Sequence, residues 1–470
     1  MHIRKAAEGL LQGVATLPLL RATSAFAFRP PQALLAKQHW PVQAKLLGGS
    51  SQPHRVVSLR ESAVEEASDT GDIAQAEERI DWQAQWYPIA LSRFTDKEAP
   101  YPMTVLGTPL SIWWDHVEER WCAVEDRCPH RAAPLSEGRV TSKGEIQCPY
   151  HGWSFKSGGR CTEIPQDTSL EPGPRACAVA YPCQEKQGLI WVWMVPMGQS
   201  PLPSSTLPLM DAIDDPRATS NDFTRDVPMD WVTLVENLMD VSHVPFTHHN
   251  TVSTRAKAAK LSYKAVEPVT KDGFLLEQIP EEGSDLTTSD GSKKPGMQSR
   301  KTFYKAPLLL YHSTNSSTVQ TYTVAYCVPM APGKARIIAR FPFIIKGKGL
   351  RSQIFKLTFK VMPTWILHFG MNTVIDDDNI FLHGMERVYV RKTGSLKNWG
   401  DKSASYLAAS SDYGIALYRK WLRSFGGDGP FDDPVKETLP TATRDELLDR
   451  QHSHTNHCKP CRDAQVNGML

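Results

Sequence analysis

Cysteine is scarce in this chain, charge is balanced, and long apolar runs are missing. Nine cysteines among 470 residues are too few for the dense disulfide scaffold of a small secreted domain. A formal net charge of +2 provides neither the basic surface of a nucleic-acid binder nor an acidic disordered tail. No stretch reaches the roughly 18 consecutive apolar residues of a membrane-spanning helix. The nearest, Val361 to Gly370, contains His368 and follows Lys356 and Lys360. It reads as a core segment leading into a functional loop, and membrane contact is expected to be peripheral at most. Between Ala25 and Arg60 acidic residues are missing altogether, while Arg29, Lys37, Lys45 and Arg55 stand there.

Apolar content, by contrast, is ample: 41% of the residues are hydrophobic, enough for two cores in a chain too long for one ordinary domain. Residues 1–60 read as an address. Arg4 and Lys5 precede an apolar run from Leu10 to Leu20, small residues follow to Ala25, and a basic, acid-poor stretch continues. That is a signal segment followed by a transit peptide. The junction Ser24-Ala25-Phe26-Ala27 resembles the cleavage motif of plastid proteins in algae with complex plastids. Residues 61–80 are acidic and polar, as a linker would be. Short β-like runs such as Tyr101–Leu106, Leu110–Trp114 and Leu189–Met194, separated by Gly and Pro, predict an antiparallel β domain over 81–200. A Pro-rich crossing leads to a second, mixed domain over 215–425. There Trp231 to His243 has helical spacing, and Gln320–Pro329 and Ala335–Ile345 read as strands. Leu417 to Leu422 suggests a late helix, Gly283 to Gly296 a surface loop, and 426–470 a polar tail.

The strongest motif is Cys128-Pro129-His130 followed by Cys148-Pro149-Tyr150-His151, that is C-x-H-x17-C-x2-H. A Rieske [2Fe-2S] cluster needs two thiolates on one iron and two neutral imidazoles on the other. Each short loop supplies one of each. Zinc also takes two Cys and two His, but its usual motifs pair Cys with Cys and His with His. Gly152 allows close backbone approach, and Trp153 and Phe155 are expected to shield the cluster. Cys122, Cys161, Cys177, Cys183 and Cys327 have no partner at metal spacing and read as buried apolar residues. Further on, Asp240, His243, His248 and His249 crowd one segment. Two His and a carboxylate form the facial triad of non-haem iron, which leaves positions open for O2. Two His five apart fit a helix end at His243 broken by Pro245, with His248 on the next turn. The carboxylate must come from elsewhere; Asp376, Asp377 and Asp378 are candidates that spacing alone does not rank.

The stretches His130-Arg131-Ala132-Ala133-Pro134-Leu135 and Cys148-Pro149-Tyr150-His151-Gly152-Trp153 resemble the Rieske oxygenases. The plant and algal branch, with pheophorbide a oxygenase, chlorophyllide a oxygenase and a translocon-associated Rieske protein, is the most similar. The resemblance implies an α+β fold: a Rieske antiparallel β domain, then a catalytic domain with a curved antiparallel sheet of the START-like helix-grip kind. It implies that His243 and His248 ligate the mononuclear iron, with Asp378 favoured over Asp377 as third ligand. Asp240 would orient an iron-ligating His and bridge to a cluster-ligating His of the next subunit in a homotrimer, and Asn237 would sit near the iron. Ferredoxin or a similar reductase would supply electrons for O2 chemistry on a plastid substrate. A chlorophyll-derived tetrapyrrole comes first, a carotenoid or other chlorophyll intermediate second; a redox role in plastid import is the alternative. Tyr304, Tyr311, Tyr322, Tyr326, Trp365 and Phe369 are candidates to line a flat pocket. Finally, Cys458-Lys459-Pro460-Cys461 has three readings: a redox dithiol, half of a zinc site, or part of an inert tail. The branch carries a similar CxxC, for which thioredoxin is the implied partner. The apolar anchor that precedes it there has no counterpart in Gly426 to Leu448.

Overall fold

The computed structural model describes residues 79–199 and 206–469, apart from 289–291, 293, 295, 348, 396, 398–403, 432–438 and 440. The expected address over 1–60 and nearly all of the linker lie outside the described residues. Among these, no helix is long and apolar enough to cross a membrane.

The first domain is built from three antiparallel sheets. Strand Tyr101–Val105 alternates buried and exposed residues, as a sheet with one solvated face requires. It pairs with Thr108–Asp115, which pairs with Arg120–Glu125. A small sheet of Arg139–Val140, Ile146–Gln147, Ser154–Phe155 and Cys161–Glu163 follows. Its central hairpin carries the Cys148 loop.

The second domain is one seven-stranded antiparallel sheet. Thr219–Val227 lies at one edge and pairs with the last strand, Lys334–Ile345. From there the sheet runs back through Val319–Ala331, Leu309–Ser316, Met297–Lys305 and Gly273–Gln278 to Tyr263–Ala265. Helix α1 (Trp231–Met239), helix α2 (Val244–Thr247), helix α3 (Thr364–Thr393) and helix α4 (Tyr413–Ser424) accompany it. Trp231, Leu234, Val235, Leu382, Tyr389, Tyr418 and Trp421 share one core with Ala335 and Ile337 of the sheet. The α+β expectation and both long strands are as read from the sequence.

Three expectations fail. No loop follows Gly370: α3 runs through it for 30 residues. Its buried residues are His368, Met371, Asn372, Asp378, Asn379, Leu382, His383, Glu386, Tyr389 and Val390. They fall at steps of three and four, the spacing of one helix face. Six of the ten are polar, so an apolar stripe was not visible. Second, the chain beyond 443 does not hang free. Arg444–Leu447, Arg450–Ser453 and Lys459–Val466 are helices, and Cys458 and Cys461 are buried in a core with Leu309, Tyr326 and Ile338. Third, among the remaining cysteines, Cys177 and Cys183 are only half-buried, whereas Cys122, Cys161 and Cys327 are buried as expected.

The two domains share a buried junction. The Arg336 guanidinium donates to Asp226 at 2.6 Å, to the Ile89 carbonyl at 3.0 Å and to the Tyr101 hydroxyl at 2.6 Å. A second buried polar group ties α3 to α1. Glu386 accepts from the Asp230 backbone N–H at 2.6 Å and from the Thr233 hydroxyl at 2.8 Å. Burial, and then the neighbouring Asp230, pushes the Glu386 carboxyl up to about 7. Burial likewise pushes Asp230 to about 6. A carboxyl raised in the folded state contributes stability below its ordinary value, and loses it as pH rises through the raised one. Glu386→Gln is therefore expected to raise the thermal midpoint over wild type at pH 8 and to change it little at pH 4.5. The gain is on the order of 2 kcal/mol. Equal effects at the two pH values would refute it.

Candidate active site

Helix α1 ends at Met239, four residues before the helix end expected at His243. Asp230 caps its start by accepting from the Val232 N–H. Asp240 leaves the helix at φ −85°, ψ 95°, and its side chain accepts from the Ser242 N–H at 2.8 Å and the Ser242 hydroxyl at 2.5 Å. A single turn, Val241–His243, then leads into α2. Pro245 lies in the first turn of α2, where its missing N–H costs nothing. The break was expected at Pro245; Asp240 makes it.

This turn brings His243 and His248 together, ring centroids 5.3 Å apart. Asp378 of α3 completes the group: one ligand atom from each of the three lies within 4.8 Å of the others. The Nε2 of His243 is 3.9 Å from Asp378 Oδ1, and the Nε2 of His248 is 3.5 Å from Asp378 Oδ2. The other ring nitrogens are occupied. His243 Nδ1 donates to the backbone carbonyl of Asp240, and His248 Nδ1 faces Asp377 Oδ2 at 3.4 Å. His249 points elsewhere, its Nδ1 accepting from the Arg255 N–H at 3.2 Å. The Asn237 amide lies near the Asp378 carboxylate and favours its ionised form.

The three adjacent acids are sorted by helix rotation, about 100° per residue. Asp376 pairs with Arg225 at 2.7 Å and with Arg450 Nε at 2.9 Å. Asp377 faces His248. Asp378 points at both histidines and is buried.

In the first domain the two cysteine loops are built alike. The Cys128 N–H donates to the Ala133 carbonyl at 2.9 Å and the Cys148 N–H to the Trp153 carbonyl at 2.8 Å. The residue four after each cysteine donates back to it, Ala132 at 2.9 Å and Gly152 at 3.1 Å. That position is left-handed in both loops, with φ of 59° at Ala132 and 75° at Gly152. Gly152 was read as room for close approach; its backbone conformation is the stronger reason. The thiols are buried, and burial, reinforced by the neighbouring Cys148, pushes Cys128 up to about 11. Two adjacent thiols ionise together only with cationic charge beside them. The imidazoles lie at the surface, His130 and His151 with centroids 4.6 Å apart. Trp153 stacks on His130 at 4.6 Å, 1° from parallel.

Comparison with known proteins fits both halves. Family descriptions match over residues 85–174 (Rieske [2Fe-2S] domain) and 304–395 (pheophorbide a oxygenase). Pheophorbide a oxygenase of Oryza sativa subsp. japonica is 32% identical over 83% of this chain and 74% of its own length. The chain belongs to the pheophorbide a oxygenase family. Other relatives of this Rieske oxygenase carry different names. The protochlorophyllide-dependent translocon component 52 of Arabidopsis thaliana is 30% identical over 82% of this chain and 74% of its own. Flavonoid 8-hydroxylase 2 of Ocimum basilicum is 30% identical over 83% and 74%. The fold is also that of dicamba monooxygenase, with a TM-score of 0.55 at 20% identity over 73% of this chain and 96% of that one.

A Rieske non-haem iron oxygenase uses a [2Fe-2S] cluster and a mononuclear iron, and the residues present fit both groups. Two buried thiols and two surface imidazoles are the donor set of a Rieske cluster. At the triad, each histidine spends its N–H on an oxygen behind it, so each Nε2 presents a lone pair to Asp378. Asp378 Oδ1 is buried with no hydrogen-bond partner. Burial raises the Asp378 carboxyl, against the opposing pull of His248, His243 and Asn237. Lone pairs aimed at a carboxylate repel unless a cation lies between them, which is what this oxygenase has to offer Fe(II).

The oxygenase does not gather the six aromatic residues into one pocket. Tyr304 packs with Phe274, Tyr418 and Trp421. Tyr326 packs on Trp191 and donates to the Pro208 carbonyl at 3.0 Å. Tyr311 stacks on Phe303, Tyr322 borders the same core, and Trp365 and Phe369 border a cavity beside Cys461. Strand alternation sends Tyr304 to the face opposite Tyr311, Tyr322 and Tyr326, which pack into one core with Trp365 instead of lining open space. His312 was missed: its Nε2 donates to the Leu238 carbonyl at 2.9 Å, bracing the end of α1 just ahead of the triad. A lone histidine in a strand gives no motif to find.

Proposed function

We propose that this oxygenase inserts oxygen from O2 into a chlorophyll-derived tetrapyrrole in the plastid, with pheophorbide a as the leading candidate. The observation that carries this is the 32% identity to pheophorbide a oxygenase across 83% of the chain. The match over residues 304–395, which include the α3 carboxylates, supports it.

Cys128, His130, Cys148 and His151 are assigned to the cluster, and His243, His248 and Asp378 to the mononuclear iron. When bound, the cluster supplies electrons singly and the iron supplies the centre for O2 activation. The chain's own part is to hold its ligands still. The Asp240 carbonyl fixes the tautomer of His243, a task we had expected of the Asp240 carboxylate. Asp377 does the same for His248, and Asn237 steadies Asp378. The Asp240 carboxylate is left about a quarter exposed, at 25%. In our reading it accepts a hydrogen bond from an exposed cluster-side histidine of a neighbouring protomer in a homotrimer. The electron donor is a ferredoxin or similar reductase docking beside His130 and His151.

A flat, oxygenated aromatic compound is the second substrate class, favoured by the equal coverage of the flavonoid 8-hydroxylase. A pure redox role in plastid import, the reading favoured by the translocon component, leaves the converged triad without a task. Turnover under 18O2 with reduced ferredoxin decides between them. The panel is pheophorbide, chlorophyllide, protochlorophyllide, a flavone and carotenoids, read by mass spectrometry. Label in pheophorbide product is the expected result. Label in another panel member instead would replace the substrate. No label anywhere, with cluster and mononuclear iron both present, would overturn the oxygenase assignment for this panel and favour the redox role.

A further inference from the structure

A second convergence of metal-binding side chains lies apart from both iron sites. His368, His454, Cys458 and Cys461 are all buried, and one ligand atom from each lies within 4.8 Å of the others. His368 is on α3, nearly three turns before Asp378. The other three come from the C-terminal segment. We propose that these four residues form a closed, structural zinc site that fastens the C-terminal segment to α3.

The geometry points to a tetrahedral ion. His368 Nδ1 is 3.4 Å from the Cys458 sulfur and 3.3 Å from the Cys461 sulfur, and His454 Nε2 is 3.3 Å from the Cys461 sulfur. With zinc–sulfur and zinc–nitrogen bonds of about 2.3 and 2.0 Å, a tetrahedral edge between N and S is about 3.5 Å. The contacts match that edge to within a few tenths of an ångström.

Both rings are held from behind. His368 Nε2 donates to the Asp222 carbonyl at 2.9 Å, and His454 Nδ1 donates to the Thr224 carbonyl at 2.7 Å. Asp222 and Thr224 are alternate residues of the edge strand Thr219–Val227. A metal-ligating histidine characteristically spends its second nitrogen in this way, which fixes the tautomer and leaves the other lone pair for the ion. The rings are also walled by Phe223, which stands edge-on to His368 at 5.4 Å and stacked on His454 at 4.7 Å. Four N and S donors with no carboxylate and no exposed position are the set of a structural zinc, not a catalytic one. A cavity lined by Trp365, Phe369, Arg450, His454 and Cys461 adjoins the site and offers the ion a way in.

The competing occupant is a pair of protons: two thiols donating to two imidazoles satisfy the same atoms. Zinc replaces these, with two thiol protons passing to solvent as two thiolates bind Zn2+, and no electron moves. A regulatory disulfide between Cys458 and Cys461 is a different state again, and its exchange with a thioredoxin needs sulfurs that a protein can reach. Here Cys458 is 0% and Cys461 2% exposed.

Metal analysis of the purified full-length chain tests this, with zinc and iron measured together and the cluster followed by its visible spectrum. About one zinc per chain is expected, retained on dialysis against EDTA and released by a mercurial thiol reagent. Grown with cobalt, the protein is expected to show the intense visible bands of tetrahedral cobalt bound to two thiolates. Cys461→Ser is expected to lose the zinc while a His243→Ala, His248→Ala double variant keeps it. The proposal falls if wild-type protein holds less than about a tenth of a zinc per chain after anaerobic zinc addition. It falls equally if Cys458 and Cys461 are recovered as a disulfide from the native protein, or if the zinc disappears with the triad and survives Cys461→Ser. Since the cobalt measurement uses wild-type protein, a variant that fails to fold does not shelter the idea. None of these outcomes depends on the oxygenase substrate.

Discussion

Asp378→Ala is expected to lose the mononuclear iron and substrate turnover together, while the visible spectrum of the [2Fe-2S] cluster stays. Iron per chain should fall from about three to about two, and product formation by more than about 100-fold, beyond the range of supporting residues. The two preceding acids should behave differently, because the helix turns each to a different partner. Asp377→Asn keeps a group opposite His248 Nδ1 but removes its charge. A drop of about 10- to 100-fold in iron affinity or turnover is expected, with folding unchanged. Asp376→Asn should spare the iron site and cost stability instead. Its main partner, Arg225, is 0% exposed, and a buried cation deprived of its carboxylate costs about 3–5 kcal/mol. Iron analysis, single-turnover product assays and thermal melts on the three variants separate these outcomes. Iron lost from Asp377→Ala and kept in Asp378→Ala would reverse the ligand assignment.

Asp240→Asn should retain all three irons and still lose turnover by about 10- to 100-fold. The separation follows from two different parts of Asp240. Its backbone carbonyl holds His243 Nδ1 and survives the substitution. Its Oδ1 caps the turn by accepting from the Ser242 N–H, and an asparagine oxygen accepts there equally well. What disappears is the negative charge of a side chain that is a quarter exposed and whose Oδ2 lies 4.0 Å from His243 Nδ1. The readout is the rate at which a pre-reduced cluster is reoxidised with substrate and O2 present. Slow reoxidation with intact metal content places Asp240 on the route between protomers. Loss of iron from the variant would confine its role to shaping the turn.

Much of this was legible in the sequence because the chemistry is local. Cys128, His130, Cys148 and His151 sit in two short loops, where spacing and ligand type are the same information. His243 and His248 sit five residues apart in one segment, legible for the same reason. Ranking Asp376, Asp377 and Asp378 needed the partners, and those lie far off: Arg225 is 151 residues from Asp376. Spacing also misjudged α3, whose buried face is mostly polar. His368, Asn379, His383 and Glu386 are tolerated there because each finds a partner: the Asp222, Leu447 and Pro228 carbonyls and the Asp230 N–H. The CxxC was visible but its two histidines were not assigned to it, since His368 stands 90 residues before Cys458 and no periodicity joins them. The expected aromatic pocket failed because an aromatic count does not distinguish rings packed in a core, as Tyr311 and Tyr326 are, from rings that line open space.

Helix α3 also limits how this gene can change over time. Along one unbroken rod, His368 meets the CxxC, Asp376 meets Arg225, Asp378 meets the two histidines, and Glu386 meets Asp230. Inserting or deleting a single residue turns everything beyond it by about 100° and slides it by about 1.5 Å. No such change can satisfy all four appointments at once. Between positions 368 and 386 descendants of this sequence are free to change letters but not length.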